Sequence, residues 1–297
     1  MSDFFFTYTP VFDLFLLHLG FAFSQYIALR SGVFSLATAG FAAVGAYAAG
    51  ILSVRMGLPS GFGILVATLL GTAASLFLAL PLSKLRGVYQ AIATVAFVQI
   101  VVSLNIYLEG LTGGAMGLNG IPRTVGTEVL LIAALGVTYV MWAVNRTRLG
   151  RAFDMIREDE AVAVSLGVPM VRYQALGFAL SGAIAGLFGG LEAHHVYAIE
   201  PNQFGFPFLI AILSYVVFGG RHSVVGPIVG TAVLIALPEL ARPLAENRIL
   251  VYGLLLILVI NFLPRGIADT AIDKFKLRRL ARREQASTTD GRKAVEQ

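Results

Sequence analysis

The stretch YQALGFALSGAIAGLFGGLE, residues 173–192, contains one acidic or basic residue, Glu192, and that residue stands at its far end. A helix needs about 20 mostly apolar residues, rising 1.5 Å each, to cross the hydrocarbon core of a bilayer. On an ideal helix Gly182, Gly186 and Gly189 fall within about 60° of one another, and Gln174, Ser181 and Glu192 within about 20°. The segment therefore reads as a spanning helix with a small-residue packing face and a separate polar stripe. Small residues matter in lipid because they let two helix backbones approach closely.

Eight other runs read the same way: 11–29, 33–54, 61–83, 87–107, 127–144, 205–219, 223–240 and 249–263. The run 205–219 is short enough to be re-entrant or broken, and 33–54 is Gly-rich and open to irregularity. Composition agrees with an all-α, polytopic transmembrane bundle of about nine spans. Charged residues make up 13% of the chain, about half the share of a soluble protein, against 57% hydrophobic residues. A mean hydropathy of +0.79 leaves no polar stretch long enough for a soluble domain. Residues 1–266 are read as one transmembrane domain and 267–297 as a basic tail. The first twelve residues, MSDFFFTYTPVF, lack the basic start and small-residue cleavage site of a signal peptide, so the first apolar run is expected to remain as a helix.

Lys and Arg set the expected orientation. With the N-terminus outside and nine crossings, eighteen basic residues fall inside and four outside, namely Arg55, Arg123, Arg242 and Arg248. The chain is N-out and C-in on this reading, and the basic loop 145–172 is cytoplasmic. Arg30, between the first two runs, reads either as a positive-inside anchor or as a pathway residue. The basic residues flank apolar runs or sit in the tail, so the +5 formal charge points to anionic lipid rather than nucleic acid.

Catalytic constellations are missing. There is no cysteine, no GxxxxGK[ST] phosphate loop, no HExxH and no GxSxG. His194 and His195 are adjacent, point about 100° apart on a helix and make a poor metal pair. No catalytic residue, metal site or cofactor is expected on this chain. The run 87–107 carries Gln90, Thr94 and Asn105 on one side and Gln99 and Ser103 on the other. A helix polar on two sides is expected inside the bundle.

Three stretches carry a family resemblance: 86–122 with RGVYQAIAT and LTGGAMGLNGIP, 148–204 with GRAFDMIREDE, and 216–240 followed by 258–266, LVINFLPRG. Together they resemble the LivM-like permeases of branched-chain amino-acid ABC importers. The chain departs from that pattern at 22–41, where Leu29, Arg30, Ser31 and Gly32 replace a Gly-Tyr-Ala-Gly-like run, Gln25 replaces Asn and Ala37 replaces Gly. The resemblance implies a second, related permease, two cytoplasmic ATPase subunits and a periplasmic solute-binding protein. It implies branched-chain amino acids or related small carboxylates as solute, with urea, amides or aromatic acids as alternatives. A stand-alone secondary transporter is a further alternative, which the lack of a central Asp or Glu in the apolar runs disfavours.

Four groups of residues follow as candidates. The charged segment with Asp154, Arg157, Glu158, Asp159, Glu160 and Ala161, closed by Gly167, is expected to be one short helix that couples to the ATPase; its alternative is a solvated interfacial loop. Gly113, Gly114 and Asn119 sit in a Gly-rich loop that reads either as a solute or binding-protein contact or as a structural turn. Ser35, Thr38, Thr94, Gln99, Asn105 and Ser181 are intramembrane polar residues, read either as pathway lining or as interhelical hydrogen bonds. Gly182, Gly186 and Gly189 form the packing face.

Overall fold

Without water, the backbone amides of the apolar runs must find partners within the protein, and helices supply them. The structure, a computed structural model, describes residues 2–240, Gly253 and residues 266–270. In chain order the elements are α1 (Ser2–Arg30), α2 (Thr38–Met56), α3 (Ser60–Leu82), α4 (Val88–Tyr107), α5 (Glu109–Thr112) and β1 (Leu118–Asn119). They continue with α6 (Thr127–Arg146), α7 (Arg148–Glu158), α8 (Glu160–Ser165), α9 (Met170–His195), β2 (Ala198–Ile199), α10 (Phe206–Gly219) and α11 (Val225–Leu240).

Among the described residues, seven helical stretches are long and apolar enough to cross a bilayer: Thr9–Arg30, α2, α3, α4, α6, α9 and Pro201–Gly219. The last consists of a 3-10 turn, Pro201–Phe204, running into α10. The expected run 223–240 appears as α11, whose apolar part is shorter than a full span. The expected ninth run, 249–263, lies outside the described residues except for Gly253, as does most of the basic tail.

The run expected at 33–54 is helical only from Thr38. Gly32 takes a φ of 83°, and residues 33–36 are non-helical. Side chains of α4 catch the freed amides: Phe34 N–H donates to Gln90 Oε1 at 3.3 Å and Leu36 N–H to Thr94 Oγ1 at 3.0 Å. Unpaired, such groups would each cost roughly 1–3 kcal/mol.

At the centre α9 packs on α1, α2 and α3. Gly186 lies between two neighbours: a Cβ at Gly45 of α2 would come within 2.6 Å of Gly186 Cα, and one at Gly186 would meet the Ala67 carbonyl of α3 and lie 3.1 Å from Gly71 Cα. Gly182 abuts Gly71 and Ser75 of α3, while Gly189 abuts the Ala42 carbonyl of α2. The three glycines thus serve two helices at once. Where α9 has bulk it points the other way, with Phe188 against Gly20 and Phe21 of α1.

The expectation that α4 lies inside the bundle holds for one side only. Gln90, Thr94 and Asn105 are buried, but Gln99 and Ser103 are exposed. The reason is that α4 packs mainly on α2 and the 3-10 turn, so none of the described elements packs against its other flank.

Gly186→Leu should disrupt packing by at least the roughly 1–3 kcal/mol typical of overpacked cores, because the added atoms meet backbone on two sides. Gly136→Leu, on α6 with nothing near its Cβ position, should be neutral. Monodisperse yield and thermal midpoint in detergent check this. Equal behaviour of the two variants would contradict the packing described.

Candidate functional site

Arg30 ends α1, and it is only 1% exposed despite its charge. Its guanidinium forks onto Asp154 of α7, Nε to Oδ1 at 3.1 Å and Nη2 to Oδ2 at 2.8 Å. Nη2 also donates to Asn145 Oδ1 at 2.5 Å, on the last turn of α6, and Nη1 to Tyr26 Oη at 3.4 Å. One side chain therefore ties α1, α6 and α7 together. A planar guanidinium suits this because it offers five donors in a fixed fork. Neither expected reading of Arg30 foresaw this pairing. The signal in the sequence was a lone charge between apolar runs, which requires a counter-charge elsewhere.

Asp154 extends the network. Arg157 Nη2 lies 3.6 Å from its Oδ1 and 3.4 Å from Glu158 Oε1, and Arg157 Nη1 donates to the Arg221 carbonyl at 3.4 Å in the α10–α11 loop. Asp269 completes that loop by accepting the His222 N–H at 2.8 Å. Burial, reinforced by nearby Arg157, lowers the His222 imidazole below its usual pKa.

The segment 154–167 is not one helix. Residue 159 breaks it: Asp159 is extended (φ −157°, ψ 113°), and its Oδ1 accepts the Ala161 and Val162 amides at 2.8 and 3.1 Å, capping α8. A capping aspartate satisfies the orphan amides that begin a helix. Arg157 and Ala161 therefore stand on different helices, correcting the expectation of one continuous helix. Gly167, with φ 78°, ends the pair. The helix α7 buries Ala152, Phe153 and Ile156 against the bundle, and Glu160 reaches Arg86 of the α3–α4 loop at 2.9 Å. The outward side of α8 is apolar: Val162, Val164 and, just past its end, Leu166 are 53%, 56% and 68% exposed, and Ala161 is exposed beside them.

The intramembrane polar residues divide into two sets. Ser24 Oγ donates to the Ser181 carbonyl at 2.8 Å and lies 3.0 Å from Ser181 Oγ. Thr38 Oγ1 donates to Gln25 Oε1 at 2.9 Å, and Gln25 Nε2 donates to the Ser35 carbonyl at 2.5 Å. These groups form a closed knot joining α1, α2 and α9, and Thr94 is bound nearby to the non-helical segment. Asn105 is buried, whereas Gln99 faces outward.

The Gly-rich loop closes the other end. Gly113, Gly114, Gly117 and Gly120 all have positive φ, and β1 pairs antiparallel with β2, Leu118 opposite Ile199. A Cβ at Gly117 would strike the Ile199 carbonyl. Asn119 is exposed and donates to the Met116 carbonyl at 3.4 Å. His194 is wholly buried, its Nδ1 3.2 Å from the Pro122 carbonyl and its Nε2 3.2 Å from Ser53 Oγ. His195 Nε2 lies 3.6 Å from Asp13 Oδ2 on α1. Among the described residues no three His, Cys, Asp or Glu side chains converge as a metal site would need.

The family described as "Branched-chain amino acid transport system / permease component" matches residues 9–260. The chain is 31% identical to the high-affinity branched-chain amino acid transport system permease protein LivM of Escherichia coli, over 86% of this chain and 68% of that protein. It is 28% identical to the probable branched-chain amino acid transport permease protein LivH of Methanocaldococcus jannaschii, over 52% of this chain and 50% of that one. It is 27% identical to the autoinducer 2 import system permease protein LsrC of Yersinia pseudotuberculosis, over 62% and 56%. No solved structure matches it significantly.

Deleting the Arg30–Asp154 pair from its two sides should have unequal effects. Asp154→Ala strands a buried guanidinium and should cost on the order of 2–3 kcal/mol, below the fully buried range because Asp154 is itself 43% exposed. Arg30→Met leaves a carboxylate that water can solvate, and should cost less. Thermal unfolding of both variants in detergent checks the order; a larger loss for Arg30→Met would contradict it.

Proposed function

Because the chain belongs to the family of branched-chain amino acid transport system permease components, we propose that it forms half of the membrane pathway of an ATP-driven importer. Its solute is a branched-chain amino acid or a related small carboxylate. A second permease completes the pathway, two ATPase subunits dock on the Arg30 end, and a periplasmic solute-binding protein delivers to the opposite end. ATP is hydrolysed on the separate subunits, which fits the lack of a phosphate-loop motif in this chain.

The observation that carries this reading is the apolar cap of α8. Ala161, Val162, Val164 and, just past its end, Leu166 sit exposed on a short helix that is not among the seven candidate spans. An apolar helix face lodged in a groove of a partner is a recurring mode of recognition. Asp154, Arg157, Glu158, Asp159, Glu160 and Gly167 shape and anchor the element that bears this cap. Its motion reaches α1 through Arg30 and the α10–α11 loop through Arg157. Thr94 and Asn105, with the Ser35 and Thr38 knot, are enclosed here and belong to a pathway that opens in another state of the pair. Gln99 borders it from outside. Gly113, Gly114 and Asn119 lie where a binding protein would seat.

The chain adopts an N-out, C-in topology of nine crossings, residues 1–266 forming the permease domain and 267–297 a cytoplasmic basic tail. The split of basic residues supports this, with Arg30, Lys84, Arg86, Arg146, Arg148, Arg151 and Arg172 at one end against Arg55 and Arg123 at the other. Reporter fusions after Arg151 and Gly114 should report cytoplasm and periplasm respectively; a shared compartment would sink the topology.

Ala161→Glu places charge on the apolar cap without entering the bundle. In vesicles holding the permease pair, its ATPases and its binding protein, the variant should assemble yet lose leucine uptake and solute-stimulated ATP hydrolysis together, each by at least tenfold. Wild-type coupling would remove α8 from the mechanism. ATP-independent leucine uptake by the permease alone would overturn the importer reading.

A further inference from the structure

The outer flank of α4 presents a problem of solvation. On an ideal helix Ile92, Ala96, Gln99, Ser103 and Tyr107 fall on one stripe about 80° wide, and all five are exposed. Gln99 stands near the middle of this spanning helix, at the depth where hydrocarbon is driest. Neither Gln99 nor Ser103 has a side-chain hydrogen-bond partner among the described residues.

Other polar residues on the spanning helices behave differently. The hydroxyls of Thr68, Thr72, Thr138 and Ser214 donate to carbonyls one turn back on their own helices, at 2.9, 2.7, 2.7 and 2.8 Å. That is how a hydroxyl is made compatible with lipid. Gln99 cannot hide its amide this way, since it offers two donors and an acceptor to fill. A shallow concavity of about 460 Å³ lies over it, bordered by Gln99, Ile100, Ser103, Leu104 and Tyr107.

We infer that this stripe of α4 is the surface on which the second permease subunit packs, with Gln99 hydrogen-bonding across the interface. The small Ala96 and Ser103 allow a facing helix to come close, and the concavity receives its side chains. A lipid occupant would leave the Gln99 amide unsatisfied in hydrocarbon, and a soluble partner cannot reach mid-membrane. The inference rests on the reading that the chain works as one of two paired permeases.

The absence of native cysteine makes the test direct. Ser103→Cys and, as control, Leu69→Cys on the exposed side of α3 are labelled with a benzophenone maleimide in the purified pair reconstituted with phospholipid. Illumination should join Ser103→Cys to a transmembrane peptide of the second permease, and Leu69→Cys to lipid alone. Gln99→Leu should lower the fraction of pairs surviving detergent by roughly threefold, the scale of one interhelical hydrogen bond. Cross-links from Leu69→Cys and none from Ser103→Cys would overturn the assignment. So would labelling of Ser103→Cys in the assembled pair by a membrane-impermeant maleimide, which would make the face part of an aqueous channel. An intact pair unaffected by Gln99→Leu would also overturn it. Failure of the wild-type chain to co-purify with any second permease would instead refute the pairing on which the inference rests.

Discussion

The bundle depends on how closely α9 can approach α2 and α3. Lipid tails are as apolar as leucine, so helices in a bilayer gain little from burying hydrocarbon against one another. They gain instead from dispersion, which needs short distances. Gly186 supplies these by placing its backbone against Gly45 on one side and against Ala67 and Gly71 on the other. Once those three helices are set, α1 closes over the Phe188 side of α9. The polar knot of Ser24, Gln25, Thr38 and Ser181 is sealed between them.

That arrangement was partly legible in the sequence. The spacing of Gly182, Gly186 and Gly189 announced a close-packing face because helical period and residue size suffice to define one. It could not say that the face serves two helices, which depends on where α2 and α3 lie. Span positions followed from apolar length, and they failed where length is not decisive. Residues 33–37 are as apolar as a helix, but Gly32 turns the chain and α4 side chains take the amides. The segment after Asp154 read as one helix because nothing in its composition forbids continuity. Asp159 ends it by capping the next turn, a competition that aspartate wins only when its side chain can reach two amides.

The candidate site was least legible where it depends on distance in space. Arg30 and Asp154 are far apart in sequence, and neither carries a local pattern that names the other. Their meeting converts a cytoplasmic-looking charge and a buried-looking one into a single joint between spanning and non-spanning helices. The same limit applied to Gln99. A wheel separates its side of α4 from that of Thr94, but only the packed chain reveals which side is left open.

The Arg30–Asp154 joint also has a consequence in time. The partners lie 124 residues apart, with α2, α3, α4 and α6 between them. During synthesis α1 enters the bilayer well before Asp154 has left the ribosome. Until then the guanidinium can reach no carboxylate of α7, and its long stem must carry the charge to the headgroup region. Arrival of α7 withdraws that charge from the headgroups and fixes the end of α1. The joint thus acts as a late latch in biogenesis, closing the first helix only after more than half of the chain has been made.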